Sequence, residues 1–174
     1  MTLLEYFNTP ESLLPQELIC GQMRVADAPF VSHQRIVLKL AMALQAHADH
    51  TGSGEVFVAP VDIVLDLDRD LVVQPDLLFI SRDRIDIVHE RIYGAPDLVV
   101  EVLSPRPRIG QLEERVGWFA EHGVREIWLY NQSSRTLDIL GCEGGAVMSR
   151  TTVGHDDPIR SAVLPTSCGR WRVR

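Results

Sequence analysis

The segment Gly94-Ala95-Pro96-Asp97-Leu98-Val99-Val100-Glu101-Val102-Leu103-Ser104-Pro105 decides how this chain folds. Turn-forming Gly94 and Pro96 precede a run in which Glu101 is the one residue that is not aliphatic, and Ser104-Pro105 ends it. Such a run reads as a strand buried on both faces. An ionised carboxylate in its middle is costly to desolvate unless a cation or strong donors meet it. Glu101 therefore either lies at an open sheet edge or binds something, and a metal ion is the reading we favour.

Downstream, Leu112, Val116, Phe119 and Ala120 recur at helical spacing up to Gly123, and Arg125 to Asn131 is again strand-like. A strand, helix and strand in this order form a crossover unit, which predicts that the Glu101 and Trp128 strands run parallel as neighbours or near neighbours. The tail adds strands at Thr136 to Gly141 and Ala146 to Thr152, parted by Gly144-Gly145. Upstream, Glu55 to Leu65 and Leu71 to Ile80 read as two long strands of one hairpin turning at Asp66 to Asp70. A turn or short strand is expected near Ile85 to Val88. Residues His33 to about His50 form a helix, with Ser32 as its N-cap and Gly52 past its end. Gln16 to Val25 is a strand pair or a strand bent at Gly21, and Leu3 to Leu14 holds one or two helical turns.

At 174 residues and 45% hydrophobic content the chain can bury a good core, and one domain over residues 1–174 is the simplest expectation. A formal charge of -7 argues against a broad basic face for nucleic acid, while permitting a local groove. Cys20, Cys142 and Cys168 are odd in number and far apart, which suggests neither a disulfide framework nor a cysteine zinc site. Met1 to Phe7 lacks a basic start followed by an apolar run, so a cytoplasmic location is expected.

Asp76 follows Pro75 inside an otherwise apolar stretch, as Glu101 does in its own. Two adjacent buried carboxylates repel each other unless a divalent cation lies between them. Oxygen ligands with open coordination positions suit Mg²⁺ or Mn²⁺, which activate water and neutralise phosphate in phosphodiester hydrolysis. The bland alternative is that Asp76 ends a turn and Glu101 pairs with an arginine.

Five blocks, starting at Leu14, Ser32, Val72, Gly94 and Phe119 and together spanning about residues 14 to 142, resemble in order the Uma-type family of restriction endonucleases, members of the PD-(D/E)XK nuclease superfamily. The resemblance implies an α/β, restriction-endonuclease-like fold with a mixed β-sheet flanked by helices, and a divalent-metal site. Asp76 resembles the motif aspartate and Glu101 the following acid, with the Val102 carbonyl as a further metal ligand and Glu17 matching an upstream acid that could complete the metal site. DNA is the implied substrate, and nucleases of this type often work as dimers, so a homodimer is expected. His33 matches a family histidine at a helix start, where it is a candidate to reach the cleft and bind substrate, with a capping or packing role as the plain alternative.

The superfamily lysine stands two residues after the acid, on the same strand face, where it would orient or deprotonate the attacking water. Here that position is Leu103. Uma-type relatives resemble one another in carrying the lysine on the following helix, at the position of Arg115, with an acid where this chain has Gln111. At about 100° per residue Arg115 lies about 40° from Phe119, at the rim of the packed stripe, where it can lean toward Glu101. Arginine keeps its proton, so Arg115 can hold a phosphate or steady developing charge but makes a poor base. Lys39, the one lysine of the chain, lies on the earlier helix. The sequence thus supports two readings, a metal-dependent endodeoxyribonuclease and a non-catalytic relative that keeps the fold for binding or assembly.

Other residues read more plainly. Arg106 and Arg108, just past the Glu101 strand, are candidates to contact a DNA backbone. His47, His50, His89, His122 and His155 show no ligand spacing and read as surface residues. Trp128 and Tyr130 read as sheet packing rather than base stacking. Asp66, Asp68 and Asp70 lack the glycine and terminal glutamate of a calcium loop and read as a solvated turn.

Overall fold

The structure is a computed structural model, and it describes residues 1–10, 12, 14–103, 112–154 and 157–164. Two mixed sheets are present where the sequence suggests one. Sheet A has the order β2 (Gln22–Val25), β1 (Gln16–Ile19), β5 (Leu71–Val73), β4 (Ile63–Asp66), β7 (Ile92–Tyr93). Sheet B has the order β11 (Ala146–Val153), β10 (Thr136–Glu143), β9 (Glu126–Asn131), β8 (Leu98–Leu103), β6 (Leu77–Ser81), β3 (Gly54–Val58). Helix α1 is Leu3–Phe7, α2 is Val31–Thr51 and α3 is Leu112–Glu121.

The predicted long hairpin is the main correction. Its two arms each break in the middle, so that β3 pairs with β6 in sheet B while β4 pairs with β5 in sheet A. The breaks coincide with Pro60 and Pro75, which have no N–H to give a ladder. Chain that a sequence pattern reads as one strand therefore crosses from sheet to sheet, and Asp76 sits just after that crossing. The other connections follow the sequence more closely. β8 and β9 are parallel neighbours with Glu101 paired to Leu129, β1 and β2 form a hairpin, and β10 and β11 turn at Gly144-Gly145. A 3-10 turn, Arg82–Ile87, fills the polar stretch before β7.

Helix α2 begins after Phe30, with no side-chain cap, and Ser32 lies inside its first turn instead of capping it. Gly52 ends the helix in the left-handed conformation. Val37, Leu40, Leu44 and Ala48 of α2 pack on Leu77, Phe79, Leu98, Val100, Val102, Trp128 and Tyr130, one face of sheet B. The opposite face, with Leu78, Ile80, Val99, Ile127 and Leu129, packs on Trp118 and Phe119 of α3 and on Ile19, Ile63, Leu71 and Val73 of sheet A. Period-2 alternation in β8 thus sends 98, 100 and 102 toward α2, and 99, 101 and 103 toward α3 and sheet A. That division places Glu101 between the sheets.

Two histidines depart from the surface reading. His47 is buried on α2, and His122 has its ring against the Trp118 carbonyl (2.7 Å) and Asp66 Oδ2 (3.2 Å). Trp128 is fully buried and donates its indole N–H to Glu126. His155 and the Arg170, Arg172 and Arg174 tail lie outside the described residues.

Candidate active site

Antiparallel pairing of β6 with β8 sets Leu77 opposite Val100 and Leu78 opposite Val99. Asp76 precedes β6 by one residue; its charge acts on Glu101, while its contact with His33 turns it toward α2. The two acids are 25 residues apart in sequence (101 − 76), and the fold brings the charge of Asp76 to bear on Glu101. Neither is freely solvated, since their side chains are 20% and 14% exposed.

Each acid has its own nitrogen partner, His33 for Asp76 and Arg115 for Glu101. Asp76 Oδ2 accepts the Val102 backbone N–H (2.7 Å) and lies 3.1 Å from His33 Nε2. Arg115 on α3 donates its Nε–H to Glu101 Oε1 (2.6 Å). The terminal nitrogens of Arg115 meet Glu17 of β1, Nη1 on Oε2 at 2.9 Å and Nη2 on Oε1 at 2.8 Å. Glu17 is fully buried and also accepts the Gln74 backbone N–H (2.7 Å). A chain of polar contacts and charge coupling therefore runs from α2 to β1: His33, Asp76, Glu101, Arg115, Glu17. Arg115 joins both sheets to α3, and its guanidinium carbon lies 5.4 Å from the Phe119 ring centroid.

The electrostatics follow from this layout. Burial pushes the Glu101 carboxyl up to about 7; Arg115 opposes the rise, while the negative charges of Asp76 and Glu17 add to it. One arginine thus leaves Glu101 short of the compensation an ordinary surface glutamate gets from water. Burial would pull His33 down, but its contact with Asp76 and the charges of Asp76 and Glu101 hold the imidazole above its ordinary value. The nitrogen Nδ1 of His33 is buried with no hydrogen-bond partner among the described residues.

Among the described residues no group of three or more His, Cys, Asp or Glu side chains could by itself hold a metal ion. Two carboxylates that converge, with substrate oxygens and water completing the shell, are nevertheless the habit of Mg²⁺, which is bound through one or two carboxylates plus phosphate. The donors that reach Asp76 and Glu101 from described residues fall on Oδ2 and Oε1, so Oδ1 and Oε2 are the oxygens that could turn to a cation. Asp76 and Glu101 fit such an ion.

The family model described as "Uma2: Putative restriction endonuclease" matches residues 3–169. The chain belongs to the Uma2 family. A solved structure described as "a putative nuclease belonging to DUF820 from Anabaena variabilis" matches with a TM-score of 0.81 over 99% of this chain and 95% of that one. At 17% identity the match speaks for the fold. No curated protein matches the chain.

Within this Uma2 chain, Asp76, Glu101, Arg115, Glu17, His33 and the Val102 backbone are gathered at one place. Leu103, the position two residues after Glu101, packs its apolar side chain against the core that α3 covers. Arg106, Arg108 and Gln111 lie outside the described residues. No described helix is long and apolar enough to cross a membrane.

Sequence reasoning missed Asp97. Fully buried at the start of β8, it accepts the Ser81 N–H (2.8 Å) and one nitrogen each of Arg84 and Arg125 (3.2 Å each). Its signal was available: Pro96-Asp97 opens an apolar strand just as Pro75-Asp76 does. Gln74 was missed too, and nothing local marks it; its side chain reaches Asp62, which also takes Tyr6 and Arg91.

Proposed function

We propose that the chain is a divalent-metal-dependent endonuclease that hydrolyses DNA phosphodiester bonds, with Mg²⁺ or Mn²⁺ held by Asp76 and Glu101. The observation that supports the reading is the pair of largely buried carboxylates, Asp76 just ahead of β6 and Glu101 in β8, the charge of the first acting on the second, with Arg115 against Glu101. When bound, such an ion supplies Lewis-acid polarisation of the phosphate and a water of lowered pKa. The chain's own residues do the rest. The Val102 N–H and His33 fix Asp76, and the Val102 carbonyl is a further oxygen for the site. Arg115 brings a permanent positive charge to the spot where charge builds on the phosphate. His33, Arg106 and Arg108 are the substrate-side groups of this proposal, the two arginines for backbone phosphates. Two copies acting together would cut both strands.

One observation favours a second reading, a non-catalytic binding or assembly module. Leu103 is apolar and Arg115 is no base, so the role the superfamily gives to lysine has no holder among the described residues. Plasmid nicking with Mn²⁺ separates the two. Nicking by the wild type that vanishes in Glu101→Ala supports the nuclease, and a wild type with no more nicking than Glu101→Ala supports the module.

A further inference from the structure

We infer that Glu17 is a positioning residue for Arg115, not a ligand of the ion, and that its hold on both terminal nitrogens of Arg115 keeps one oxygen of Glu101 open to the cation. The inference rests on the metal reading above and assigns a role within that site.

A guanidinium offers a fork of two nitrogens that matches a carboxylate, and fork-on-carboxylate pairing is the strongest arrangement open to it. Two acids compete for the fork of Arg115. Glu17 has it, at 2.9 and 2.8 Å, and Glu101 is left with the single Nε contact at 2.6 Å. Without Glu17 the fork has Glu101 as its nearest carboxylate. Both oxygens of Glu101 would then be taken by a buried, charge-assisted pair, and an incoming cation would have to break it.

Glu17 is fixed where this division requires it. It is wholly buried, its strand is locked in register with β2 from Gln16 to Ile19, and its Oε1 also accepts the Gln74 N–H at 2.7 Å. Turning either oxygen to an ion would leave the Gln74 N–H or an arginine N–H unpaired in a buried place. These contacts account for an acid that is close to the site and yet turned to its arginine.

Crystals with and without Mn²⁺ test the inference. In metal-free Glu17→Gln the fork of Arg115 is expected on both oxygens of Glu101; Arg115 still meeting Glu101 through Nε alone overturns the inference. Wild-type crystals soaked in Mn²⁺ are expected to show anomalous density between Asp76 and Glu101 with Glu17 still on Arg115. Calorimetry is expected to find Mn²⁺ binding weaker by about 10- to 100-fold in Glu17→Gln. Should that variant not fold, Glu17→Asp keeps the charge with a shorter reach, and a partial turn of the fork toward Glu101 is expected there. Glu17 found on the ion overturns this inference and leaves the metal reading standing. Absence of Mn²⁺ from the wild type instead removes the metal reading, while the metal-free variant still decides what Glu17 does to Arg115.

Discussion

Glu101 and Arg115, 14 residues apart, meet through one hydrogen bond of 2.6 Å, and that single bond does not offset the burial of the carboxylate. Burial, with the charges of Asp76 and Glu17, pushes Glu101 from 4.5 up to about 7. An acid whose pKa is raised by folding holds its proton more tightly in the native state. Between about pH 4.5 and 7 the folded chain thus binds more protons than the unfolded one, and the Glu101 contribution to stability falls as pH rises through that window. Glu101→Gln is expected to remove this slope. Urea unfolding of both proteins at pH 5 and pH 8 measures it, and equal slopes would refute the assignment.

Asp97 behaves in the opposite sense. Burial tends to raise its carboxyl, but the Ser81 N–H and the arginines Arg84 and Arg125 outweigh burial and hold it below the usual range. Its contribution to stability is present above the unfolded pKa and is lost as pH falls through the folded one. Asp97→Asn is expected to cost about 1 to 3 kcal/mol at neutral pH, because both arginines lose a charged acceptor while remaining partly open to water. The variant should also show a shallower decline toward acid. Thermal unfolding from pH 7 to pH 3 checks both.

Gly54 of β3 lies so close to β6 that a Cβ there would stand 2.1 Å from the Ile80 carbonyl oxygen and 2.8 Å from the Phe79 ring. Backbone cannot yield by that much without moving the strand. Gly54→Ala is expected to destabilise the fold by about 1 to 3 kcal/mol, read as a lowered denaturation midpoint, with the separation of β3 from β6 as its cause.

How far the sequence carries can be judged from these residues. The Glu101 strand was legible because a charge inside an aliphatic run stands out, and β8 lies where that predicts, parallel to β9. Arg115 was singled out by the family resemblance, and helix geometry supported its lean toward Glu101, since both lie within one crossover unit. The split of the long hairpin between two sheets was not legible: Pro60 and Pro75 mark where pairing stops, but nothing in the local pattern says which sheet receives each half. The partnership of Glu17 with Arg115 spans 98 residues and joins sheet A to α3, so only the assembled fold reveals it. Asp97 shows the converse limit, because the same Pro-Asp pattern serves a structural hub in one strand and a candidate ligand in another.

Ligand linkage gives a test of the ion that is independent of catalysis. An ion bound by the folded chain alone stabilises it, by about 2.7 kcal/mol when its concentration is 100 times the dissociation constant. Mn²⁺ is expected to raise the melting temperature of the wild type, and a chelator to reverse the rise. Asp76→Asn and Glu101→Gln should each melt at a temperature that Mn²⁺ does not change. A rise of equal size in the variants would place the ion elsewhere.

The sharpest prediction concerns Arg115→Lys. Arginine at this place can attract phosphate but holds its proton throughout the accessible pH range, whereas lysine in a buried, charged site can be brought to release one. On α3 the side chain already reaches Glu101, so a lysine ammonium there would lie beside the proposed ion and the water it activates. Proton transfer by a positioned side chain contributes about 10²- to 10⁴-fold, of which a shorter, imperfectly seated lysine would recover part. Plasmid nicking with Mn²⁺ is therefore expected to rise roughly tenfold in Arg115→Lys and to increase with pH, while Arg115→Met shows no such gain. Loss of the fork on Glu17 works against the gain, so the folded fraction of each variant must be measured alongside. If well-folded Arg115→Lys nicks no faster than the wild type at any pH from 6 to 9, Arg115 does not stand in the place of the missing lysine.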